Sequence, residues 1–335
     1  MIGFKVGDVQ QKTKVLVTGG AGFIGSNLVE YFLKKNFQVV CLDNLSTGKY
    51  SNIEPFLNLE NFTWIQGDIR DFSVCVSAVA GCDYVLHQAA LGSVPRSIND
   101  PILTNSVNIS GFLNMLVASR DAGVKRFVYA ASSSTYGDSS ALPKIEDTIG
   151  APLSPYAVTK LVNELYADVF SKLYGMSVVG LRYFNVFGRR QDPAGAYAAV
   201  IPKFVMSFLN QNEIVINGNG EHSRDFTYIE NVLLANDLAL QAEDENVKGQ
   251  VFNVACGAQT SLNEMLSIMR GLFAVRQMDF QPKGVVYGPE RIGDIAHSWA
   301  SIEKGKELLN YYPTHDFKSG LEEAIDWYIQ HYRGA

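Results

Sequence analysis

Three side chains of complementary chemistry follow one another in the middle of the chain: Ser132, Tyr156 and Lys160. Tyr156 and Lys160 lie in Ser154-Pro155-Tyr156-Ala157-Val158-Thr159-Lys160, and on a helix this spacing puts both on one face. A phenol is a poor base, because its ordinary pKa is about 10. A cation beside it favours the phenolate and lowers that value. The pair then takes a proton from an alcohol near neutral pH, with Ser132 placed to hydrogen-bond the reacting hydroxyl. Ser133 and Ser134 continue the run of hydroxyls and read equally as caps of a strand end. Asp68 and Asp71 belong to a different loop and are not read as an acid/base pair. Oxidising an alcohol needs a hydride acceptor as well, so other elements must hold one.

The glycines Gly19, Gly22 and Gly25 follow the apolar strand Lys14 to Thr18 and open a helix that runs to about Lys35, with Phe23 and Ile24 in its first turn. Missing side chains let the backbone turn tightly and approach a pyrophosphate, and the helix N-terminus offers unpaired N–H groups to that anion. Such a turn also serves packing alone, but Asp43, at the end of a second strand (Phe37 to Leu42), adds a carboxylate for ribose hydroxyls. That carboxylate repels a 2′-phosphate, which favours NAD over NADP. Asn44, Ser46, Thr47 and Gly48 are placed to line the same ribose. Asp68 and Ile69 follow a third strand (Phe62 to Gln66) and border adenine. Gln88, Ala89 and Ala90 follow a fourth (Tyr84 to His87) and give close backbone access. Each residue alone reads as loop, but together they mark the ligand crevice at successive strand ends.

A fifth strand (Arg126 to Ala130) and a sixth (Ser177 to Arg182) alternate with helical patterns at Ile102 to Ala122 and Ser154 to Leu173, the latter with Ser154 as N-cap and Pro155 in the first turn. Alternation of this kind predicts a parallel sheet covered on both faces. The rhythm breaks after Asn185, and Gln250 to Ala255 reads as one more strand of the first domain. The expected division is 14–185, with return segments near 226–255, against a smaller domain of 186–225 and 256–335. With 335 residues and 47% hydrophobic content the chain can bury one large core or two modest ones. A net charge of −6 without a basic run speaks against nucleic acid as partner. No apolar signal core or membrane span is read at the start of the chain. The cysteines Cys41, Cys75, Cys82 and Cys256 form no Cys-x-x-Cys pair and no zinc spacing, so no metal is expected and a reducing cytoplasm is the expected home.

These segments resemble the extended short-chain dehydrogenase/reductase family and, within it, the nucleotide-sugar 4-epimerases, very closely those acting on UDP-N-acetylglucosamine in bacterial polysaccharide synthesis. The likeness covers nearly the whole chain. It is carried by Gly19 to Gly25, Leu42 to Gly48, Ser132 to Gly137, Ser154 to Lys160, Leu181 to Gly188 and Ser223 to Phe226. It implies an α/β fold, a Rossmann-type doubly wound parallel sheet with a smaller C-terminal α/β substrate domain. It implies a homodimer through a four-helix bundle built from Ile102 to Ala122 and Ser154 to Leu173. Tyr156 is then the base, Lys160 tunes it and holds the nicotinamide ribose, and Ser132 helps bind O4. Asn108, Tyr183 and Val186 join the cofactor side. Asn185 meets a UDP phosphate, Arg224 and Arg291 clamp diphosphate and ribose, and Asp294 meets the uridine ribose. Ala199, Val200, Lys203, Val215 and Asn217 line the uridine side.

The implied reaction is NAD-dependent interconversion of UDP-N-acetylglucosamine and UDP-N-acetylgalactosamine through a transient 4-keto sugar. Alternatives are 4-epimerases of UDP-glucose or UDP-uronic acids. The related 4,6-dehydratases carry an Asp-Glu pair where this chain has Ser133 and Ser134, and the related decarboxylases a Glu where it has Ser134. Enzymes restricted to plain hexoses carry a bulky Tyr where this chain has Ser298, which leaves room for an N-acetyl group. Ser93 and Ser133, with Gly92 and Val94, are the expected remainder of that acetamido pocket.

Overall fold

Short valine-rich runs form a parallel sheet in the computed structural model, which describes residues 12–193, 199–276, 280–290 and 296–332. Its strands are β1 (Lys14–Thr18), β2 (Gln38–Asp43), β3 (Phe62–Gln66), β4 (Tyr84–His87), β5 (Arg126–Ser132) and β6 (Val178–Tyr183). Strand Val251–Val254 returns to the outer flank of β6. The spatial order is Val251–Val254, β6, β5, β4, β1, β2, β3. It reverses between β1 and β4, and in such sheets the crevice at that reversal is where a ligand binds.

Alternate residues of one strand divide between two cores, as a period of two requires. Val15 and Val17 of β1 join a core with Leu28, Val29 and Phe32 of α1 (Phe23–Lys34). Leu16, between them, faces the opposite core with Cys75 of α2 (Phe72–Val79), and with Phe112, Met115 and Leu116. On that second face lie α3 (Val94–Asn99), α4 (Pro101–Asn105), α5 (Phe112–Asp121) and α6 (Pro155–Tyr174). The first core runs on without a break into the C-terminal part, through helices Val200–Leu209, Ile229–Gln241, Leu262–Val275 and Phe317–Tyr332. Small sheets sit above the crevice. Ser223–Arg224 pairs with Thr260–Ser261 and His297–Ser298, and Ile214–Asn217 pairs with Val285–Gly288.

The expected elements are present with shifted limits. β2 starts and ends one residue later than expected, and β5 runs on through Ser132, so that serine closes the strand rather than following it. The helix expected over Ile102 to Ala122 is three pieces, α4 and α5 joined by a π-helical turn at Ser106–Gly111. The turn accommodates buried Asn108, whose side chain accepts from Leu91 N at 2.7 Å and donates to Leu91 O and to Thr159 Oγ1. A wide turn of this type is a recurrent way to aim one side chain sideways out of a helix.

Candidate active site

α6 begins where the sequence says it should, because Ser154 Oγ accepts from Ala157 N and Pro155 occupies the first turn. Tyr156 is fixed further by its N–H, which donates to Ser97 Oγ at 3.0 Å. Lys160 lies one turn on, buried, and donates from Nζ to Ala130 O at 2.7 Å. Burial lowers its ammonium to about 8, with Glu164 pulling the other way. The Tyr156 phenol is raised by burial and lowered by a hydrogen bond with Ser132. Lys160 Nζ stands 5.9 Å from the centre of the Tyr156 ring. In the free protein burial outweighs the Ser132 bond, so the phenol stays above its ordinary value, while the Lys160 ammonium donates to the Ala130 carbonyl. Ser132 Oγ also accepts from Ser134 N and pairs with Ser134 Oγ at 2.9 Å.

These three residues line one cavity of about 370 Å³ together with the glycine-rich end of the sheet. Gly19, Gly22, Phe23, Ile24, Gly25, Asp43, Asn44, Ser46, Thr47, Asp68, Ile69, Gln88, Ala89, Ala90, Tyr183, Asn185 and Val186 all reach it. Gly19 has φ +67°, and a Cβ there would stand 2.8 Å from the Ala89 backbone; one on Gly25 would stand 2.1 Å from Gly19 O. The N-cap of α1 is Gly22, which supplies no side-chain acceptor, so the first N–H groups face the cavity unblocked. Asp43 accepts from Ala21 N at 3.0 Å and Leu45 N at 2.8 Å, which holds the carboxylate at the rim although burial raises it. Gln88 Oε1 is buried with no protein partner. Arg70, the nearby cation, is taken up by Asp68 at 2.7 Å. A cradle without side chains, a carboxylate at the end of β2 and an orphaned amide oxygen fit a dinucleotide with a free ribose diol.

Asn185, at φ 34°, is shared with a second cavity of about 650 Å³. Val200, Lys203, Val215, Asn217 and Arg224 line it. Arg224 Nη1 donates to Ser223 O at 2.9 Å and Ala296 O at 3.1 Å. Sequence reasoning missed Phe204, Ser207, Ile216, His222 and Phe226 on its walls. The helical step from Val200 to Lys203, Phe204 and Ser207 was the available signal for two of them, and alternation from Arg224 to His222 for another.

Other expected residues take different places. Asn108 clamps the β4 loop to α6 and does not line the cavity. Gly48 is absent from the wall because it packs under it; a Cβ there would meet Ala21 and Asp43 at 2.9 Å. Ser93, at φ 109°, caps α3 by accepting from Arg96 N. Ser133 and Ser134 form a tight turn behind Ser132, and Ala199 caps the helix Val200–Leu209. Ser298 lies outside both linings, beside Arg224 in parallel register. Arg291 and Asp294 lie outside the described residues. Among the described residues no group of three or more His, Cys, Asp or Glu could hold a metal, and no helix is long and apolar enough to cross a membrane.

Sheet order, glycine cradle and the Ser–Tyr–Lys group define a dinucleotide-dependent enzyme acting on an alcohol carbon. The model of the NAD dependent epimerase/dehydratase family matches residues 15–255, and the chain belongs to that family. Its cofactor is NAD. It is 35% identical to a putative UDP-glucose 4-epimerase of Methanocaldococcus jannaschii over 93% of this chain and 97% of that one. The UDP-N-acetylglucosamine 4-epimerase of Methanobrevibacter ruminantium, solved with UDP-N-acetylmuramic acid, superposes with a TM-score of 0.87 at 39% identity, covering 96% of this chain and 99% of the other. The UDP-glucuronic acid 4-epimerase of Bacillus cereus, solved with UDP-glucuronic acid and NAD, gives a TM-score of 0.85 at 31% identity, covering 95% of this chain and 99% of the other.

Proposed function

We propose that the protein epimerises UDP-N-acetylhexosamines at C4, interconverting UDP-N-acetylglucosamine and UDP-N-acetylgalactosamine. The observation that carries this reading is that Asn185 lines both cavities. On one side stand Ser132, Tyr156 and Lys160 with the dinucleotide cradle; on the other stand Lys203, Asn217 and Arg224. The sheet lobe (14–185, with returns at 226–255) then holds the cofactor, and 186–225 with 256–335 hold the nucleotide sugar. Gly19, Gly22, Gly25 and Asp43 would hold NAD at the glycine cradle, where it would supply hydride-transfer chemistry at C4. Ser132 hydrogen-bonds O4 while Tyr156 takes its proton. The same phenol gives the proton back after the keto sugar has turned, so no outside oxidant is consumed. Arginine suits the diphosphate because its planar fork matches phosphate geometry.

Asp43 and Asp68 are the only carboxylates on the first cavity's described wall, and both belong to its adenosine end. Among the described lining residues nothing acidic stands beside Tyr156 to remove water across C5 and C6, which favours epimerisation over dehydration. Ser298 lines neither cavity but stands in register with Arg224 on the second one's wall, and in this reading its small side chain leaves room for an acetamido group. The test is incubation of the purified enzyme with acetylated, plain and uronic UDP-sugars, with products separated by chromatography. Faster turnover of the acetylated pair without free NADH supports the reading. A product lighter by one water, or stoichiometric NADH, refutes it.

Two copies are proposed to pair through α4, α5 and α6. Ile102 on α4 and Leu165 and Leu173 on α6 are exposed by 82%, 59% and 73%, apolar surface that a second copy would cover.

A further inference from the structure

Arg224 is followed by a carboxylate that none of the chemistry above uses. Asp225 is fully buried. Its Oδ1 accepts from Cys256 N at 2.9 Å, and its Oδ2 accepts from Gly257 N at 3.0 Å and Ala300 N at 3.3 Å. The side chain thus bolts the segment after strand Ser223–Arg224 to the segment leaving Val251–Val254 and to the segment after His297–Ser298. Its backbone works in the opposite direction, toward the cavities. Asp225 N donates to Ser298 O at 3.0 Å, and Asp225 O accepts from Asn185 Nδ2 at 2.9 Å. One residue therefore touches the wall shared by both cavities, the strand that carries Ser298 and, by peptide linkage, Arg224.

We propose that Asp225 is a positioning residue that sets Arg224, Asn185 and Ser298 in register for the substrate's nucleotide. This rests on the nucleotide-sugar reading of the second cavity. The physical reason is the match of donors to acceptors. Three convergent N–H groups need an acceptor-only side chain, which an ionised carboxylate is. Asparagine has the same shape but turns one acceptor into a donor that faces those N–H groups. The three segments then lose a common anchor, while the sheet, the glycine cradle and α6 keep theirs.

The test uses holoenzyme carrying Asp225→Asn, with Asp225→Ser as the second variant. Binding of UDP is followed by calorimetry, bound NAD by absorbance after release, and turnover with the best UDP-sugar. The expected result is Kd for UDP and KM raised about tenfold, kcat within about twofold of wild type, and bound NAD unchanged. Arg224→Ala combined with Asp225→Asn should lose little more affinity than Arg224→Ala alone, because two residues acting through one contact are not additive. An unchanged Kd in folded Asp225→Asn overturns the proposal, as does strict additivity. Loss of the fold and of NAD in both variants overturns it in favour of plain core support. A wild type that binds NAD but no UDP overturns the nucleotide-sugar reading together with it, whereas wild-type UDP binding with unchanged variants overturns only the role of Asp225.

Discussion

Burial opposes the charge that Tyr156 must carry, and the free protein offers it only the Ser132 hydroxyl in compensation. The Lys160 ammonium stands 5.9 Å from the centre of the ring, and NAD bound at the cradle would add further positive potential. An opposite charge within a few ångströms lowers a phenol's pKa. Tyr156→Phe keeps the ring and its packing but has no proton to exchange, so turnover should fall roughly 10²–10⁴-fold. UDP binding should hold, as calorimetry on the same sample will show; near-normal kcat would sink the mechanism. Ser298 is a test of size. An added phenol beside Arg224 should abolish turnover of the acetylated sugars in Ser298→Tyr while sparing some activity on UDP-galactose. Intact N-acetyl activity in that variant would move the C2 pocket elsewhere.

At the scale of elements, strand ends and helix starts meet in the crevice, and β4 shows how one end is fixed. Thr18 Oγ1 accepts from Ala89 N at 3.2 Å and lies 2.9 Å from His87 Nδ1. Thr18 Oγ1 thereby ties the amide that follows β4 to the buried His87 ring. Burial holds that imidazole down at about 3, with Lys160 adding to the effect. The unfolded chain protonates the same ring below about 6.5. Between the two values the unfolded form binds more protons, so stability is lost as pH falls through that window, by roughly 1.4 kcal/mol per unit. Wild type should therefore lose roughly 1 kcal/mol more than His87→Asn between pH 7.5 and 5.5, read from urea unfolding. Equal losses would show that His87 titrates like an exposed histidine.

Across the whole molecule, a single core continues from the sheet into the C-terminal segments, which keeps the two cavities in fixed relation at Asn185. The opposite face of the sheet ends in helices with bare apolar side chains. Leu165→Glu with Leu173→Glu should convert a dimer to a monomer by light scattering, with bound NAD retained. If the wild type is itself monomeric at working concentration, the pairing through α4, α5 and α6 is wrong.

Local physics was legible in the sequence. The glycine turn after β1, the carboxylate at the end of β2 and the Ser154 cap depend on residues a few positions apart, so the pattern carries the geometry. For the same reason the succession of strands along the chain could be read from alternation, with limits off by a residue or two where hydrogen bonding, not hydropathy, ends a strand, whereas their order in the sheet came only from the fold. Three-dimensional packing decided the rest. Asn108 looked like a cofactor ligand, yet it clamps Leu91 to Thr159, because a π-helical turn swings it inward. Gly48 looked like ribose wall, yet it fills the space under Asp43. The second cavity gathers its wall from segments between Asn185 and Leu262, and no spacing rule relates them. The hold of Asp225 on Cys256, Gly257 and Ala300 is of the same kind. It is made of backbone N–H groups, which every residue but proline carries, so only the folded chain shows which of them converge.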